Sequence, residues 1–596
     1  MAQDQAGVAT SPCDRVTLEI VRGALRAIQS EMEAVIERTA MSPFIREKKD
    51  FYAALYDADG RLIAGSNLPV FGDVVGPIAA YYPLATMRPG DIYWFNDCYG
   101  SNGAVSHSPD QVFVAPVFAA GELSAFAQSW AHFNDIGGMR PGSLSPDCTD
   151  IFQEGIIVPP VRLAREGAVN EELLRLFYRN SRFPEMVKGD TRASMAAIRL
   201  GTSRLGELFQ RFGRATTTRA FAELLAETER ALRQKLTALL PEGRHSFTDT
   251  IDSDGQGHGP IKLRYTLEVS ADKISLDLRR SDDQVPGPVN FLMSPPVPAM
   301  IFGAYFLGGS HTLLNAGVEP AIDSVLVRAG SILQPTFPAP LGMRGVTMMR
   351  NMAACLGLLN VATGGRAAAS HSAYVIWYLR GRDEAGQLFL LSDGLGVGYG
   401  ARPHADGNDA VYLVAQENFP SEFLDSVFPV RVIRYAINPD TGGPGRWRGG
   451  TGLIRELEVL APEAMVSMRI DSVQHPPWGV AGGHAAGSGR CIVNPGRSDE
   501  RTLEPLSDGN MVKCGDIVRV ETGGGGGWGH PFDREAERVA ADVRNGFVSR
   551  AAAEADYGVV FNEAGLAVDA AATAQRRARR PAAKLFHRHG YHDVLP

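Results

Sequence analysis

A chain of 596 residues is too long for one hydrophobic core and holds several domains' worth of structure. Hydrophobic residues at 44% against 21% charged mark a folded globular protein, and 59 Lys plus Arg against 67 Asp plus Glu give a net charge of −8, with no basic footprint for nucleic acid or an anionic membrane. No apolar run reaches the roughly 18 residues of a membrane span, and the opening M-A-Q-D-Q-A-G-V-A-T-S-P lacks the basic and apolar regions of a secretion signal, so a cytoplasmic protein is expected.

The first element is a helix from about Arg15 to Thr39. Leu18, Val21, Leu25, Ile28, Met32 and Val35 recur at spacings of three and four, and Asp14 is placed to cap it. A hairpin follows, F-Y-A-A-L-Y and R-L-I-A about a D-A-D-G turn, with Asp50 at its mouth. Next come two strand-like runs, Gln111 to Phe118 and Leu123 to Trp130, separated by Ala119-Ala120-Gly121-Glu122, a second hairpin. The stretch from about Asn170 to Leu240 turns helical, with a break at Phe183-Pro184 and a stop at Pro241-Glu242-Gly243.

From His245 the pattern changes to period two, in T-D-T-I-D, I-K-L-R-Y-T-L-E-V and K-I-S-L-D-L-R, and helices are expected after the prolines near residue 296 and through M-M-R-N-M-A-A-C-L-G-L-L-N. These elements predict an α+β fold: a large mixed multilayer structure in which β-hairpins carry the site and a helical segment precedes a β-rich body. The expected divisions are 1–243, 244–530 and a helical tail at 531–596 whose basic, alanine-rich end reads as a surface or subunit contact. Glycine-dense stretches at Ser392–Gly400, Asp440–Gly452 and Gly523–Gly527 carry no nucleotide signature. The pentaglycine is followed by W-G-H-P, without the lysine and hydroxyl residue of a phosphate loop, and tight bends are the expected reason for it. No G-x-S-x-G elbow is present either.

The 119–122 hairpin has a chemical consequence. Closing it about Gly121 sets Asp110 opposite His132, and opposed side chains in an antiparallel pair have Cβ atoms about 4.5–5.5 Å apart. His107, three residues before Asp110, reaches the same point across the bend at Ser108-Pro109. Two imidazoles and a carboxylate suit Zn, with Mn or Fe as alternatives. Spacing alone also leaves them as ordinary polar residues at strand ends, and a one-residue slip would send His132 to the other face. The six cysteines are scattered without C-x-x-C, which fits reduced thiols, and Cys98 reads as a small buried residue.

A set of motifs in fixed order now becomes informative: V-T-L-E-I-V-R-G-A-L, N-D-C-Y, H-S-P-D-Q-V-F-V-A-P-V-F, A-H-F-N-D-I-G-G-M-R-P-G-S, R-F-P-E-M-V-K-G-D-T-R-A, G-G-P-G-R-W-R-G-G-T-G, P-W-G-V-A-G-G and G-G-G-G-G-W-G-H-P-F-D-R-E. From about Val16 to Val560 the chain resembles the hydantoinase B/5-oxoprolinase family. The resemblance implies a metal-bearing B-type subunit of a hetero-oligomer whose A-type partner binds ATP with Mg and phosphorylates a small cyclic amide or ketone. It places Asp50, His107, Asp110 and His132 on the family's metal-ligand positions. Asp97 and Asp135 are further acidic residues able to orient a ligand imidazole or move a proton, or to bond the backbone amides of glycine turns. The implied reaction is hydrolysis of a hydantoin, oxoproline or lactam; a ketone carboxylase subunit and a non-catalytic scaffold with a structural metal are the alternatives. Three departures from the family pattern stand near the site: Phe133 where a second imidazole is common, the altered segment before His107, and R-G-V-T-M-M from Arg344 to Met349.

Overall fold

The computed structural model describes residues 13–65, 72–271, 273–412, 416–562 and 567–588. The N-terminal stretch read for a secretion signal and the last eight residues of the basic tail lie outside them. The architecture is α+β, as expected from the sequence.

Helix α1 (Arg15–Thr39) begins where Asp14 accepts hydrogen bonds from the Val16 and Thr17 amides, and it buries Leu18, Val21, Leu25, Ile28, Met32 and Ile36. A one-turn helix, α2 (Pro43–Arg46), leads into β1 (Phe51–Asp57) and β2 (Leu62–Ala64). After a short α3 (Gly76–Tyr81) come β3 (Ile92–Phe95), β4 (Asp110–Ala119) and β5 (Glu122–His132), then β6 (Val161–Arg165) and β7 (Ala168–Val169). These strands form one sheet in the order β2-β1-β5-β4-β3-β6-β7. The β4–β5 turn has two residues, Ala120 and Gly121, both at positive φ (51° and 81°), the conformation of a type I′ hairpin.

The sheet buries both faces. Ala53, Leu55, Phe113, Ala115 and Ala127 face a core shared with α1 and with α5 (Pro184–Phe212), which follows α4 (Glu171–Asn180). Tyr52, Tyr56, Val112, Phe126 and Trp130 face the largest core, shared with the second half of the chain. After α6 (Arg214–Leu239) that half opens with a second sheet, in the order β11-β10-β9-β8, from β8 (Gly243–Ile251), β9 (Ile261–Val269), β10 (Ile274–Asp277) and β11 (Ser324–Leu326). With it lie two buried helices, α7 (Val297–Leu307) and α8 (Gly345–Thr363). Two further antiparallel sheets, of four and five strands, close on a third core between residues 375 and 520.

The pentaglycine departs from the expected tight bends. None of Gly523 to Gly527 has positive φ. The stretch is threaded among other backbones: Gly525 donates to Gly450 O (2.9 Å), Gly526 to Ser370 O (2.8 Å) and Gly527 to His484 O (2.9 Å). A Cβ on Gly525 would stand 2.2 Å from the Tyr399 carbonyl carbon, and one on Gly526 would stand 2.0 Å from Trp478 O. Close backbone approach, not turn geometry, is what requires glycine here. The tail likewise differs from a purely surface segment: Phe586 is buried against Trp478 and Phe247, and residues 586–587 pair with Gly479–Val480.

Candidate metal centre

One end of the first sheet gathers four chain segments. Asp50 immediately precedes β1, His132 ends β5, Asp110 begins β4, and Asn96-Asp97 follow β3. Because β1, β5, β4 and β3 are consecutive neighbours, these positions lie side by side. The register pairs Asp110 with His132, as the hairpin argument anticipated. On the other flank of β5, the His132 amide donates to Asp50 O at 3.0 Å. His107 enters from the bend before β4, where the Asp110 amide bonds to His107 O at 3.1 Å.

Three atoms converge there. His107 Nε2 lies 2.8 Å from Asp110 Oδ1, and His132 Nδ1 lies 3.1 Å from each of them. His107 Nδ1 meets Gly342 O at 3.2 Å, and a carbonyl only accepts, so the ring's proton is on Nδ1 and Nε2 presents a lone pair to the triangle. Burial, reinforced by the Arg344 charge, pushes the His107 ring down to about 3, so it is neutral. Burial works against the Asp110 carboxylate, yet the two imidazoles and Arg344 hold it well below the usual range. With His107 Nε2 a bare acceptor and Asp110 ionised, the triangle is electron-rich. Three donors bound at about 2.1 Å would sit about 3.0 Å apart at right angles and about 3.4 Å apart at tetrahedral angles, so the 2.8–3.1 Å separations are close to the first and slightly tighter than the second. The residues fit a cation.

Surrounding groups hold this geometry. The second Asp110 oxygen meets Ser106 Oγ and Arg344 Nη2, both at 3.5 Å, and Arg344 Nε donates to Ser106 Oγ at 2.8 Å. Gly342, which fixes the His107 tautomer, is fixed in turn by Glu154: its carboxylate accepts the Gly342 amide at 2.6 Å and the Leu341 amide at 3.0 Å. Burial pushes Glu154 up to about 8 against those bonds. Asn96 ties the loop down, donating to Ser108 O (2.8 Å) and Ile156 O (2.9 Å) and accepting from the Val158 amide (2.6 Å). Gln111 also donates to Ser108 O, at 3.0 Å.

The anticipated residues do not all meet. Among the described residues, His107, Asp110 and His132 form the group of donors within 4.8 Å of one another, and Asp50 is outside that group. The Asp50 carboxyl is nonetheless buried beside it and is pushed up to about 6 by burial, with His132 and Arg344 opposing the shift and Asp110 adding to it. Asp135 is fully buried and committed elsewhere, accepting from the amides of Gly142 (2.9 Å) and Arg182 (2.9 Å) and from Arg182 Nη1 (3.0 Å). Asp97 accepts from the Gly100 amide at 2.8 Å in a local turn. Burial raises the Cys98 thiol far above its ordinary value, so it does not offer a thiolate.

Phe133, where an imidazole is common in the family pattern, points into the α5-side core beside Phe113 and Phe177. The change there removes no ring from the triangle. Arg344, by contrast, begins the altered R-G-V-T-M-M stretch and stands against Asp110.

Comparison with known proteins places the chain in a lineage. The hydantoinase B/oxoprolinase family model matches residues 14–531. The chain belongs to that family. It is 29% identical to the B-type subunit of a putative D-/L-hydantoinase from Pseudomonas sp. (strain NS671), covering 92% of this chain and 96% of that one. The crystal structure of the ATP-dependent caprolactamase from Pseudomonas jessenii superposes with a TM-score of 0.84 at 27% identity, over 95% of this chain and 99% of that one. The acetophenone carboxylase delta subunit of Aromatoleum aromaticum is 26% identical over 89% of this chain and 84% of its own length. Among the described residues, no helix of this hydantoinase B/oxoprolinase protein is long and apolar enough to cross a membrane.

Proposed function

We propose that this chain is the metal-bearing B-type subunit of an ATP-dependent hetero-oligomer that opens a cyclic amide of the hydantoin, oxoproline or lactam type, with an A-type partner binding ATP and Mg. The observation that carries this reading is the buried triangle of His107 Nε2, Asp110 Oδ1 and His132 Nδ1. Lone pairs held about 3 Å apart in a buried site are costly unless a cation satisfies them. Asp50, buried beside the triangle just ahead of β1 but outside the group of converging donors, is the fourth candidate ligand, and Zn, Mn or Fe suits the set. When bound, such an ion would supply Lewis acidity to a carbonyl or phosphoryl oxygen.

The chain's own residues prepare that site. Gly342 O holds the proton of His107 on Nδ1 and so keeps Nε2 free. The two imidazoles, helped by Arg344, keep Asp110 ionised, and Arg344 adds a permanent positive charge beside the cluster, which suits an anionic, phosphorylated intermediate. Likeness to a caprolactamase and to a hydantoinase subunit supports ring opening, and likeness to an acetophenone carboxylase subunit supports a second reading, carboxylation of a ketone.

Reconstitution with the A-type subunit distinguishes the readings. Ring opening of hydantoin, 5-oxoproline or caprolactam, dependent on ATP and indifferent to bicarbonate, is the expected result; it disappears in His132→Ala while the complex still elutes intact. Strict bicarbonate dependence would establish the carboxylase instead, and dissociation of the His132→Ala complex would mark the metal as structural.

A further inference from the structure

Between α2 and β1 three successive residues send their side chains to three different places. Lys49, in the middle, has φ 61°, the left-handed region that a residue with a Cβ seldom occupies. Its amide donates to Ile45 O at 3.0 Å, the Asp50 amide donates to Phe44 O at 3.4 Å, and its ammonium pairs with Glu37 of α1 at 2.7 Å. A backbone held in this region persists only where its surroundings over-determine it, and such residues cluster at functional sites. Here one neighbour of Lys49 is the candidate ligand Asp50. The other is Lys48.

Lys48 leaves the first sheet altogether. Its side chain is fully buried, and Nζ stands 2.9 Å from Asp393 Oδ1 and donates to Gly394 O, both in the strand Leu388–Leu395 at the edge of the four-stranded sheet. Asp393 Oδ2 accepts from Arg455 Nη1 at 2.9 Å, and Arg455 belongs to the strand Gly452–Val459 of the five-stranded sheet. The ring centroids of Phe419 and Tyr412 lie 4.4 and 4.9 Å from Nζ and close the site. The Lys48 carbonyl is held as well, accepting from the Glu417 amide at 3.0 Å. One lysine thus ties the entry of β1 to both sheets of the third core. Two buried cations share the one carboxylate of Asp393, and the other carboxylate whose field reaches Lys48 is Asp50. A buried surplus of positive charge favours a carboxylate kept beside it. Asp50 is held on its remaining sides by the His132 amide, which donates to its carbonyl at 3.0 Å, and by the Gln416 side chain against its carboxyl.

We propose that Lys48 is a positioning residue for the metal centre: anchored on Asp393 in the third core, it fixes the place of Asp50, two residues on, beside His107, Asp110 and His132. The fourth candidate ligand is then set by the far half of the chain, through a residue that is not itself a ligand. This inference rests on the metal-centre reading and deepens it.

The Zn²⁺ affinity of the full chain, measured by chelator competition, tests this through a double-mutant cycle. His132→Ala and Asp50→Ala should each lower the affinity at least tenfold. Lys48→Met, which keeps the apolar stem and removes the ammonium, should lower it at least tenfold in the parent but less than twofold in the Asp50→Ala background, where the residue it acts through is gone. The visible spectrum of the Co²⁺-loaded Lys48→Met protein should match that of Asp50→Ala and not that of the parent, a change that a loss of stability alone does not produce. Where Lys48→Met does not fold, Asp393→Asn, which leaves the lysine in place and neutralises its partner, decides by the same cycle. Unchanged affinity in Lys48→Met or in Asp50→Ala, a parent-like Co²⁺ spectrum, or a loss as large in the Asp50→Ala background as in the parent would overturn the proposal and leave the His107–Asp110–His132 centre standing. A parent that binds no Zn²⁺, or undiminished binding in His132→Ala, would overturn the metal centre itself and the proposal with it.

Discussion

Asp110 faces His132 across the β4–β5 ladder, with Asp110 Oδ1 and His132 Nδ1 3.1 Å apart. They stand 22 positions apart in sequence, so their meeting depends on register alone. Every side chain of a strand changes face on a one-residue slip, and the burial of alternate residues on both faces of this sheet forbids such a slip.

The first prediction concerns the ligands. Asp110→Asn preserves shape but removes the charge that balances a cation in the triangle. Divalent-metal affinity, measured by chelator competition, should fall by more than the roughly 10–100-fold typical of an outer-shell change. A fall of less than tenfold would place the ion elsewhere.

Glu154 acts through the backbone. In Glu154→Ala the Leu341 and Gly342 amides lose their acceptor, Gly342 O is no longer held on His107 Nδ1, and metal affinity should drop about 10–100-fold. Each buried amide left unpaired also costs about 1–3 kcal/mol, visible as a lowered Tm. Glu154→Gln, which retains an acceptor oxygen, should recover most of both losses.

The glycine-rich stretch yields a contrasting pair. Gly525→Ala forces a methyl group to 2.2 Å from the Tyr399 carbonyl carbon and should destabilise by more than about 4 kcal/mol or prevent folding. Gly23→Ala, in the exposed middle of α1 with open space around it, should stabilise by about 0.5–1 kcal/mol. Thermal unfolding of the two variants reads both signs.

Asp190 gives a pH dependence remote from the cluster. Its Oδ1 caps the amides of Met41 (2.8 Å) and Ser42 (3.0 Å), and burial pushes the carboxyl up to about 6 despite those bonds. A raised carboxyl pKa means the folded state binds the proton more tightly than the unfolded state. Its contribution is therefore most favourable below pH about 4 and declines as pH rises to about 6, by about 2–3 kcal/mol in total. Asp190→Asn removes this component while keeping the capping oxygen, so the Tm of the variant relative to the parent should increase between pH 4.5 and 7. A constant difference across that range would contradict the assignment.

What the sequence made legible was local. Alternating strands centred on Gly121 anticipated Asp110 opposite His132 and, three residues away, His107; the two-residue turn alone would oppose Asp110 to Ala131, and a bulge between Val117 and Phe118, which the sequence did not reveal, restores the pairing. Asp14 and the three-and-four spacing delimited α1. The partners that orient these groups were not legible, because they come from distant segments: Gly342 lies 235 residues beyond His107, and Arg344 stood out only as a departure from a family pattern. Asp50 was a charged residue before a strand until the resemblance singled it out. The pentaglycine misled because glycine serves both positive φ and close backbone contact, and composition does not distinguish them. Asp97 and Asp135 were plausible acids by proximity in sequence, yet their oxygens are engaged by nearby amides and, for Asp135, by Arg182.

The most direct measurement is anomalous diffraction from crystals of the purified protein, collected on both sides of the zinc, iron and manganese absorption edges. A single strong peak within about 2.0–2.3 Å of His107 Nε2, Asp110 Oδ1 and His132 Nδ1, absent in His132→Ala, is the predicted result. A triangle without an anomalous peak in protein purified without chelator, or a peak bound by other side chains, would contradict the metal centre on which the proposed function rests.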